Sequence, residues 1–407
     1  MLNKQFIGEH KLFLFIGFLT FVLLFTVMNI NHRFTATDFE VYYYAAKAFL
    51  AGKPIYEVAF GNSDVGFYKY SPFSLLFYIP ATFLPFKIAA SVNYFFLAAA
   101  GLFSIMISSY LVVKKVFATT KPVTNTLLLI TFFLSLTFFN REVRMGNTNN
   151  LLLLLICLAV ANTGKQKEWV TGLLWAIAIA FKPYIIIVLL PVLMHHRFKI
   201  IASTISFSII FSLIPLFFTG LSEGIDIYEG WYAAMLAHSN YIISPFTLDS
   251  LIHHYLGIRH GINLTWYITA IVILGYFAVK LFKKFPGKQS SGHASTEQFY
   301  LLESFTLLAI IPNLVNTDSQ QLLYTIPLVA FLTQYLLEKR KLYLLLPYIL
   351  LFFFFSVNQP DLLGRTASEN LYRMGIVGIS NLLIIGFSWI IFLREKKMFT
   401  NQSPAEV

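Results

Sequence analysis

Apolar residues fall in about twelve long runs along this chain, and that pattern restricts the fold to packed, largely membrane-embedded helices. The runs lie near residues 11–31, 88–113, 123–140, 149–162, 168–181, 184–194, 198–219, 263–282, 299–315, 321–337, 342–357 and 374–393. Hydrophobic residues make up 57% of the chain and charged residues only 12%, too little charge to cover a water-soluble surface. We predict an all-α polytopic membrane protein with about 12 transmembrane helices, as a single membrane domain over residues 1–407.

The distribution of basic residues predicts the topology. Lys4 and Lys11 precede the first run and no small-residue cleavage site follows it, so this run is expected to remain as an uncleaved span. With a cytoplasmic N-terminus, most lysines and arginines fall on the inner side, as the positive-inside rule requires. The net charge of +11 then reflects topology, and nucleic acid is not a predicted partner. We expect a multi-pass protein of the plasma (inner) membrane with both termini in the cytoplasm.

The same topology predicts where polar chemistry can occur. Residues 32–87 and 220–262 form two large extracytoplasmic loops, whereas 283–298 is a polar cytoplasmic linker. The stretch 71–86, interrupted by Pro80 and Pro85, is too short for a relaxed span and is predicted to lie at the outer interface. The active site is therefore expected to be extracytoplasmic.

Three consecutive apolar runs in the middle of the chain are short. A helix of about 14 residues rises about 21 Å, less than the hydrocarbon core of about 30 Å. We predict two short helices that meet at Lys182 and Pro183. Broken helices are tolerated where they line a polar cavity, so a polar pocket is predicted there.

Asp38 and Glu40 follow the first span directly. Thr37 and Glu40 have the spacing of a capping box, which predicts a helix from about Phe39 to Ala51 that stops at Gly52. Two interpretations follow. Asp38 either only stabilises the positive end of this helix, or it lies at the membrane interface as a base for an attacking hydroxyl.

Several motifs, taken in their order, resemble glycosyltransferase family 87. They are DFEVYYYAAKAFLAGKPIYE, YKYSPFSLLFYIPATFLP, RMGNTNNLLLLL, FKPYIIIVLLPVLMHHRFK and SPFTLDSLIHHYLG. The resemblance extends to about residue 260. Ser71 replaces a proline of the family pattern, Asn147 replaces a glutamine, and Ser244 with Pro245 replaces an Asn-Gln pair, departures that bear on the acceptor and the sugar.

This resemblance implies a C-type glycosyltransferase fold and a polyprenyl-phosphate sugar as donor. It implies inverting transfer of a hexose, mannose by the family's example, to a lipid-linked or glycan acceptor among membrane lipids. Asp38 is then the general base, and no cofactor is expected. A divalent cation held by Asp38 and Glu40 stays open as an alternative, although residues two apart on a helix point away from each other.

Cations are needed where negative charge grows on the leaving phosphate. The candidates are Arg144, Lys182 and Arg259. Lys182 has the alternative of snorkelling to the interface. Arg141 is less favoured, because Glu142 beside it would fit an ordinary surface turn.

Further substrate-binding candidates surround these groups. His253 and His254 are predicted to assist proton transfer or to hold the phosphate, with inert interfacial histidines as the alternative. Tyr43 and Tyr70, near Asp38, are expected to contact the sugar, although tyrosines also form the aromatic belt of membrane proteins. Asn149 and, in a secondary role, Glu40 complete the set.

A lipid or sugar transporter with a central polar pocket is the alternative function. It also requires broken helices. Against it, the run lengths show no inverted repeat, and charges within the spans are few.

Overall fold

The computed structural model describes residues 4–61, 66–164, 167–241, 244–258, 296–357 and 360–394, together with single positions between 267 and 276. The α-helices in chain order are α1 Lys4–Glu9, α2 Lys11–Ile30, α3 Thr37–Leu50, α4 Pro72–Leu75, α5 Phe86–Leu111, α6 Asn125–Met145, α7 Asn149–Asn162, α8 Glu168–Phe181, α9 Leu190–Met194, α10 Phe198–Thr219, α11 Leu221–Tyr241, α12 Leu248–Leu256, α13 Thr296–Leu314, α14 Ile326–Lys339, α15 Leu342–Phe352, α16 Pro360–Leu363, α17 Arg365–Arg373 and α18 Ile376–Arg394. Helices of the 3₁₀ type cover Ile79–Phe83, Pro183–Leu189 and Ser319–Thr325, and π-helical turns extend α5 and α15.

The predicted fold class is confirmed. Within the described residues, β pairing is limited to one isolated bridge between Ala59 and Phe67. In the part of the chain that the structure describes, five helices are long and apolar enough to cross a membrane: Lys11–Ile30, Phe86–Val116, Asn125–Met145, Phe198–Thr219 and Ile376–Arg394. Most of the 263–282 run, most of the 283–298 linker and Arg259 lie outside the described residues.

The short middle helices occur where the sequence predicts them. The apolar segments Asn149–Asn162, Glu168–Phe181 and Pro183–Met194 are each too short to count among the long spans. Lys182 ends α8 in an extended conformation, at φ −138° and ψ 99°, because a residue before proline is driven out of the helical region. The chain therefore breaks at Lys182 and Pro183.

The chain divides into two compact units. The first consists of Met1–Ser108 and Thr124–Ile242. In it, α8 packs against α7 and α10, and α2 packs against α6. At Gly172 a side chain would lie 2.5 Å from Cβ of Ser203, so the absence of one allows α8 and α10 to approach closely.

The second unit consists of Ser109–Val123 and Ile243–Val407. Here α13 packs against α18 and against Ser319–Thr325. Buried amides join these elements: Asn381 donates to Asn313 Oδ1 at 2.6 Å, and Asn313 donates to the carbonyl of Phe246 at 2.8 Å. These amides satisfy one another in a buried setting, which is the requirement on any buried polar group.

The start of α3 differs from the capping-box prediction. Ala36 is the N-cap residue, in the left-handed conformation at φ 46°, and Thr37 is already the first helical residue. The Ala36 N–H donates to the carbonyl of Arg144 at 3.0 Å, so the end of α6 fixes where α3 begins. The Thr37–Glu40 box is therefore wrong, whereas the predicted stop at Gly52, at φ 64°, agrees with the structure.

Candidate active site

Gly146 ends α6 and turns the chain toward α3. It adopts φ 75°, and its N–H donates to the carbonyl of Glu142 at 2.9 Å, the usual way a helix ends on glycine. A Cβ at this position would lie 2.6 Å from Cβ of Phe39. The polar turn between α6 and α7 therefore lies directly against the first turn of α3, which carries Asp38.

Asn147 and Asp38 are hydrogen-bonded across this contact. The Nδ2 amide of Asn147 donates to Oδ2 of Asp38 at 2.7 Å. The Asn147 side-chain oxygen accepts from the Thr148 N–H at 2.7 Å and from Asn149 Nδ2 at 3.2 Å. Since these donors occupy the oxygen, the NH₂ group is directed at Asp38, and this donor stabilises the ionised carboxylate.

Lys182 reaches the same cluster from the break after α8. It is only 5% exposed, and its ammonium donates to Asn149 Oδ1 at 2.7 Å and to Asn147 Oδ1 at 3.4 Å. A snorkelling lysine would place this group in solvent. The structure instead brings Lys182, Asn149 and Asn147 together, and Asn147 in turn contacts Asp38.

Glu142 is the acid that sequence reasoning placed in an ordinary surface turn, and that interpretation is wrong. Its side chain is fully buried. Its oxygens accept hydrogen bonds from the Asn149 backbone N–H, from Asn149 Nδ2 at 2.9 Å and from the Asn150 N–H at 3.3 Å. Burial opposes the negative charge of this carboxylate most strongly, whereas the positive charge of Lys182 and the hydrogen bond from the Asn149 side chain stabilise it.

Tyrosines close one side of the cluster. The Tyr70 hydroxyl lies 3.4 Å from Asn147 Oδ1, and its ring lies under the Lys182 ammonium at 5.5 Å. Tyr42 donates to the Tyr70 hydroxyl at 2.9 Å. Burial, followed by the nearby Tyr70 and Asp38, raises the pKa of Tyr42 well above its ordinary value, so Tyr42 stays neutral and cannot act as the base.

Three arginines gather beside the same turn. Arg141 and Arg144 lie in the last turns of α6, half-buried, and Arg33 is exposed in the loop before α3. The charges of Arg141 and Arg33 both act on Arg144. Like charges held this close create a positive potential that favours an anion.

The other predicted residues lie outside this cluster. Tyr43 is buried and donates to the carbonyl of Leu84 at 2.8 Å, an interaction within the fold. The Glu40 carboxylate lies against Gly61, while Asp38 faces Asn147, as expected for residues about 200° apart around a helix.

The histidines belong to the second unit. His253 and His254 are exposed on α12, and His253 Nδ1 donates to the carbonyl of Ile258 at 3.1 Å. Among the described residues, no three His, Cys, Asp or Glu side chains gather where they could hold a metal ion.

Two members of the cluster escaped the sequence analysis. Asn147 entered it only as a departure from a family pattern, and Glu142 only as a neighbour of Arg141. One signal pointed to Glu142: an acid in the last turns of an apolar helix, where the helix dipole disfavours it and membrane burial is costly.

The fold defines an all-α polytopic membrane protein, and in it a buried polar cluster lies where the short helix α8 ends at Lys182. A family model of glycosyltransferase family 87 matches residues 67–294, more than half of the chain. The chain belongs to this family, and it is a membrane glycosyltransferase. The matched region contains Tyr70, Glu142, Asn147 and Lys182, whereas Asp38 precedes it. No curated protein matches the chain.

Proposed function

We propose that this glycosyltransferase moves a hexose, mannose by the family's example, from a polyprenyl-phosphate sugar to a lipid-linked or glycan acceptor at the extracytoplasmic face. The observation that carries the proposal is the Asp38 carboxylate, half-buried and oriented by Asn147 at 2.7 Å. A carboxylate held in this way beside buried cationic and amide groups is suited to accept a proton during transfer.

In the proposed reaction, the acceptor hydroxyl attacks the anomeric carbon of the sugar. A carboxylate oxygen of Asp38 takes the hydroxyl proton as the new carbon–oxygen bond forms. The bond from the anomeric carbon to the phosphate oxygen breaks on the opposite side, and its electron pair leaves with the polyprenyl phosphate. Attack opposite to the leaving group inverts the configuration at the anomeric carbon.

The arginines supply the proposed phosphate contact. Lys182 is buried and hydrogen-bonded to Asn147 and Asn149. We therefore assign it to orienting the amides next to Asp38 and not to binding the phosphate. Arg33, Arg141 and Arg144 retain exposed surface. Guanidinium groups bind phosphate through two parallel hydrogen bonds, and here they would stabilise the charge that develops on the leaving group.

Replacement of Asp38 tests the function. In purified, folded protein reconstituted with a labelled polyprenyl-phosphate mannose and candidate lipid acceptors, Asp38→Asn should lower transfer by about 10² to 10⁴ fold, the range for loss of general-base catalysis. Asp226→Asn, at an exposed acid of α11, is the matched control. Turnover of Asp38→Asn at the wild-type rate would refute the role of Asp38, and transport of the lipid without transfer would refute the proposed function.

The proposed orientation has its own test. In a Cys157→Ser background, Lys53→Cys places a thiol at an exposed position on the predicted extracytoplasmic side. Lys341→Cys places one at an exposed position on the predicted cytoplasmic side. A membrane-impermeant maleimide added to intact cells should label position 53 and not position 341. The reverse pattern would place the Asp38 cluster at the cytoplasmic face.

A further inference from the structure

Glu142 is more than a cap for α7. Its carboxylate is fully buried and accepts three N–H groups at the start of that helix. Neutral Ser, Thr or Asn side chains commonly meet this need. A buried carboxylate is costly unless it is paired and fully hydrogen-bonded, so its presence calls for a role that a neutral cap would not fill.

The hydrogen bonds that start at Glu142 end at Asp38. Because Glu142 takes the NH₂ group of Asn149, the Asn149 oxygen is left for Lys182, at 2.7 Å. The Lys182 ammonium in turn lies 3.4 Å from the Asn147 oxygen, whose NH₂ group holds Asp38. Each amide has one orientation that fits its neighbours, and the carboxylate of Glu142 selects it.

We propose that Glu142 is a positioning residue for the base. It fixes which way the hydrogen bonds run through Asn149, Lys182 and Asn147, and through these residues it orients the carboxylate of Asp38. This inference rests on the proposed function. Glu142 touches neither the reacting atoms nor Asp38 directly. Its negative charge also balances that of Lys182, which keeps the ammonium within the cluster.

Glu142→Gln keeps the shape of the side chain but replaces one of its acceptor oxygens by an NH₂ group, so it no longer fixes the orientation of the Asn149 amide. One oxygen remains for the backbone N–H groups, but an NH₂ group now meets the NH₂ group of Asn149. We expect kcat to fall by about tenfold to a hundredfold, since a hydrogen bond to a charged group contributes about 1.5–3 kcal/mol. The KM for the donor should change by less than about threefold, because the substrates do not contact this residue.

A second substitution separates positioning from simple support of α7. In Glu142→Gln/Asn149→Asp, the new glutamine NH₂ donates to the new carboxylate, which also accepts from Lys182. The double variant should regain at least about tenfold of the lost kcat. The rescue is partial, because the 3.2 Å contact from Asn149 Nδ2 to Asn147 is lost. Asn149→Asp alone places two carboxylates together and should be less active than the double variant.

The experiment measures kcat and KM for wild type, the three variants and Glu223→Gln, an exposed control on α11, after size-exclusion profiles establish that each is folded. Wild-type kcat in Glu142→Gln, or a loss that the double variant does not regain, overturns the inference. If Glu142→Gln does not survive purification, the test compares Asn149→Asp with the double variant. Equal kcat values for these two variants overturn the inference. Absence of transfer in the wild type would instead refute the proposed function.

Discussion

Asn147 donates a hydrogen bond to Asp38, from Nδ2 to Oδ2, and this contact joins the polar turn after α6 to the first turn of α3. In the resemblance drawn from the sequence, glutamine is common at this position. With a side chain one methylene shorter, the amide of Asn147 meets the carboxylate while its oxygen stays on the Thr148 N–H. The proposed base and the turn that orients it are therefore held together by a direct hydrogen bond.

Asn147→Asp should lower kcat by about tenfold to a hundredfold. The substitution replaces the NH₂ group that donates to Asp38 by a carboxylate oxygen that repels it. Transfer assays at saturating donor measure this. Asn162→Asp, at a half-buried amide in the last turn of α7 that donates to the Leu158 carbonyl, is the control. Equal activity of Asn147→Asp and wild type would show that the contact has no part in turnover.

Lys182→Met should destabilise the protein by about 1.5–3 kcal/mol, because it removes the charged donor to the buried Asn149 oxygen and the positive charge that acts on the buried Glu142 carboxylate. The double variant Lys182→Met/Glu142→Gln should recover most of this loss. Thermal unfolding in detergent is the measurement, and Lys199→Met, at an exposed lysine, should change little. A double variant as unstable as the single one would argue against the charge balance.

Gly146→Ala should lower the free energy of unfolding by more than Gly52→Ala. Both glycines have positive φ, a conformation that costs about 1–2 kcal/mol for other residues. Only at Gly146 would the new Cβ also meet Phe39, at 2.6 Å, whereas nothing lies within 4 Å at Gly52. Equal unfolding temperatures for the two variants would contradict this packing.

Tyr70→Phe should retain most activity, whereas Tyr70→Leu should lose about tenfold or more. The hydroxyl makes a long contact with Asn147, at 3.4 Å, and accepts a hydrogen bond from Tyr42 at 2.9 Å, whereas only the aromatic ring lies under the Lys182 ammonium, at 5.5 Å. A cation over a desolvated ring contributes about 2 kcal/mol. The ratio of kcat values for the two variants is the readout, and a larger loss in Tyr70→Phe would assign the role to the hydroxyl.

Arg33→Gln/Arg144→Gln should raise the KM for the proposed polyprenyl-phosphate donor by about tenfold or more and make this KM less sensitive to salt, because two charges of the proposed phosphate site are removed. Initial rates at several ionic strengths provide the test. Arg365→Gln, which removes an exposed arginine of the second unit, is the control. A donor KM equal to that of the wild type would place the phosphate elsewhere.

The fold could be predicted largely from the sequence, since helix lengths and breaks depend on local patterns. The break at Lys182 follows from the proline beside it. The start of α3 did not follow from such a pattern: Ala36 takes the N-cap position because its N–H bonds the carbonyl of Arg144, a contact that no spacing in the first loop encodes.

The site could be predicted only in part for the same reason. Lys182 was named from an interrupted helix and Asn149 from a motif that resembles the family, and the structure places both in hydrogen-bond contact with Asn147. Glu142 was misjudged, because a charged residue beside arginines is usually solvated, and its burial depends on α7 folding against it. Tyr43 was expected near a sugar, yet its hydroxyl bonds the carbonyl of Leu84.

The hydrogen bond between Asp38 and Asn147 spans 109 residues of sequence, and this has a consequence for biosynthesis. Translation proceeds at about 5–20 residues per second, so Asp38 leaves the ribosome several seconds before Asn147, and Lys182 follows later still. A nascent chain that carries only the first span and loop has the acid without the groups that orient it. The proposed catalytic arrangement therefore cannot form until the chain has been synthesised through Lys182.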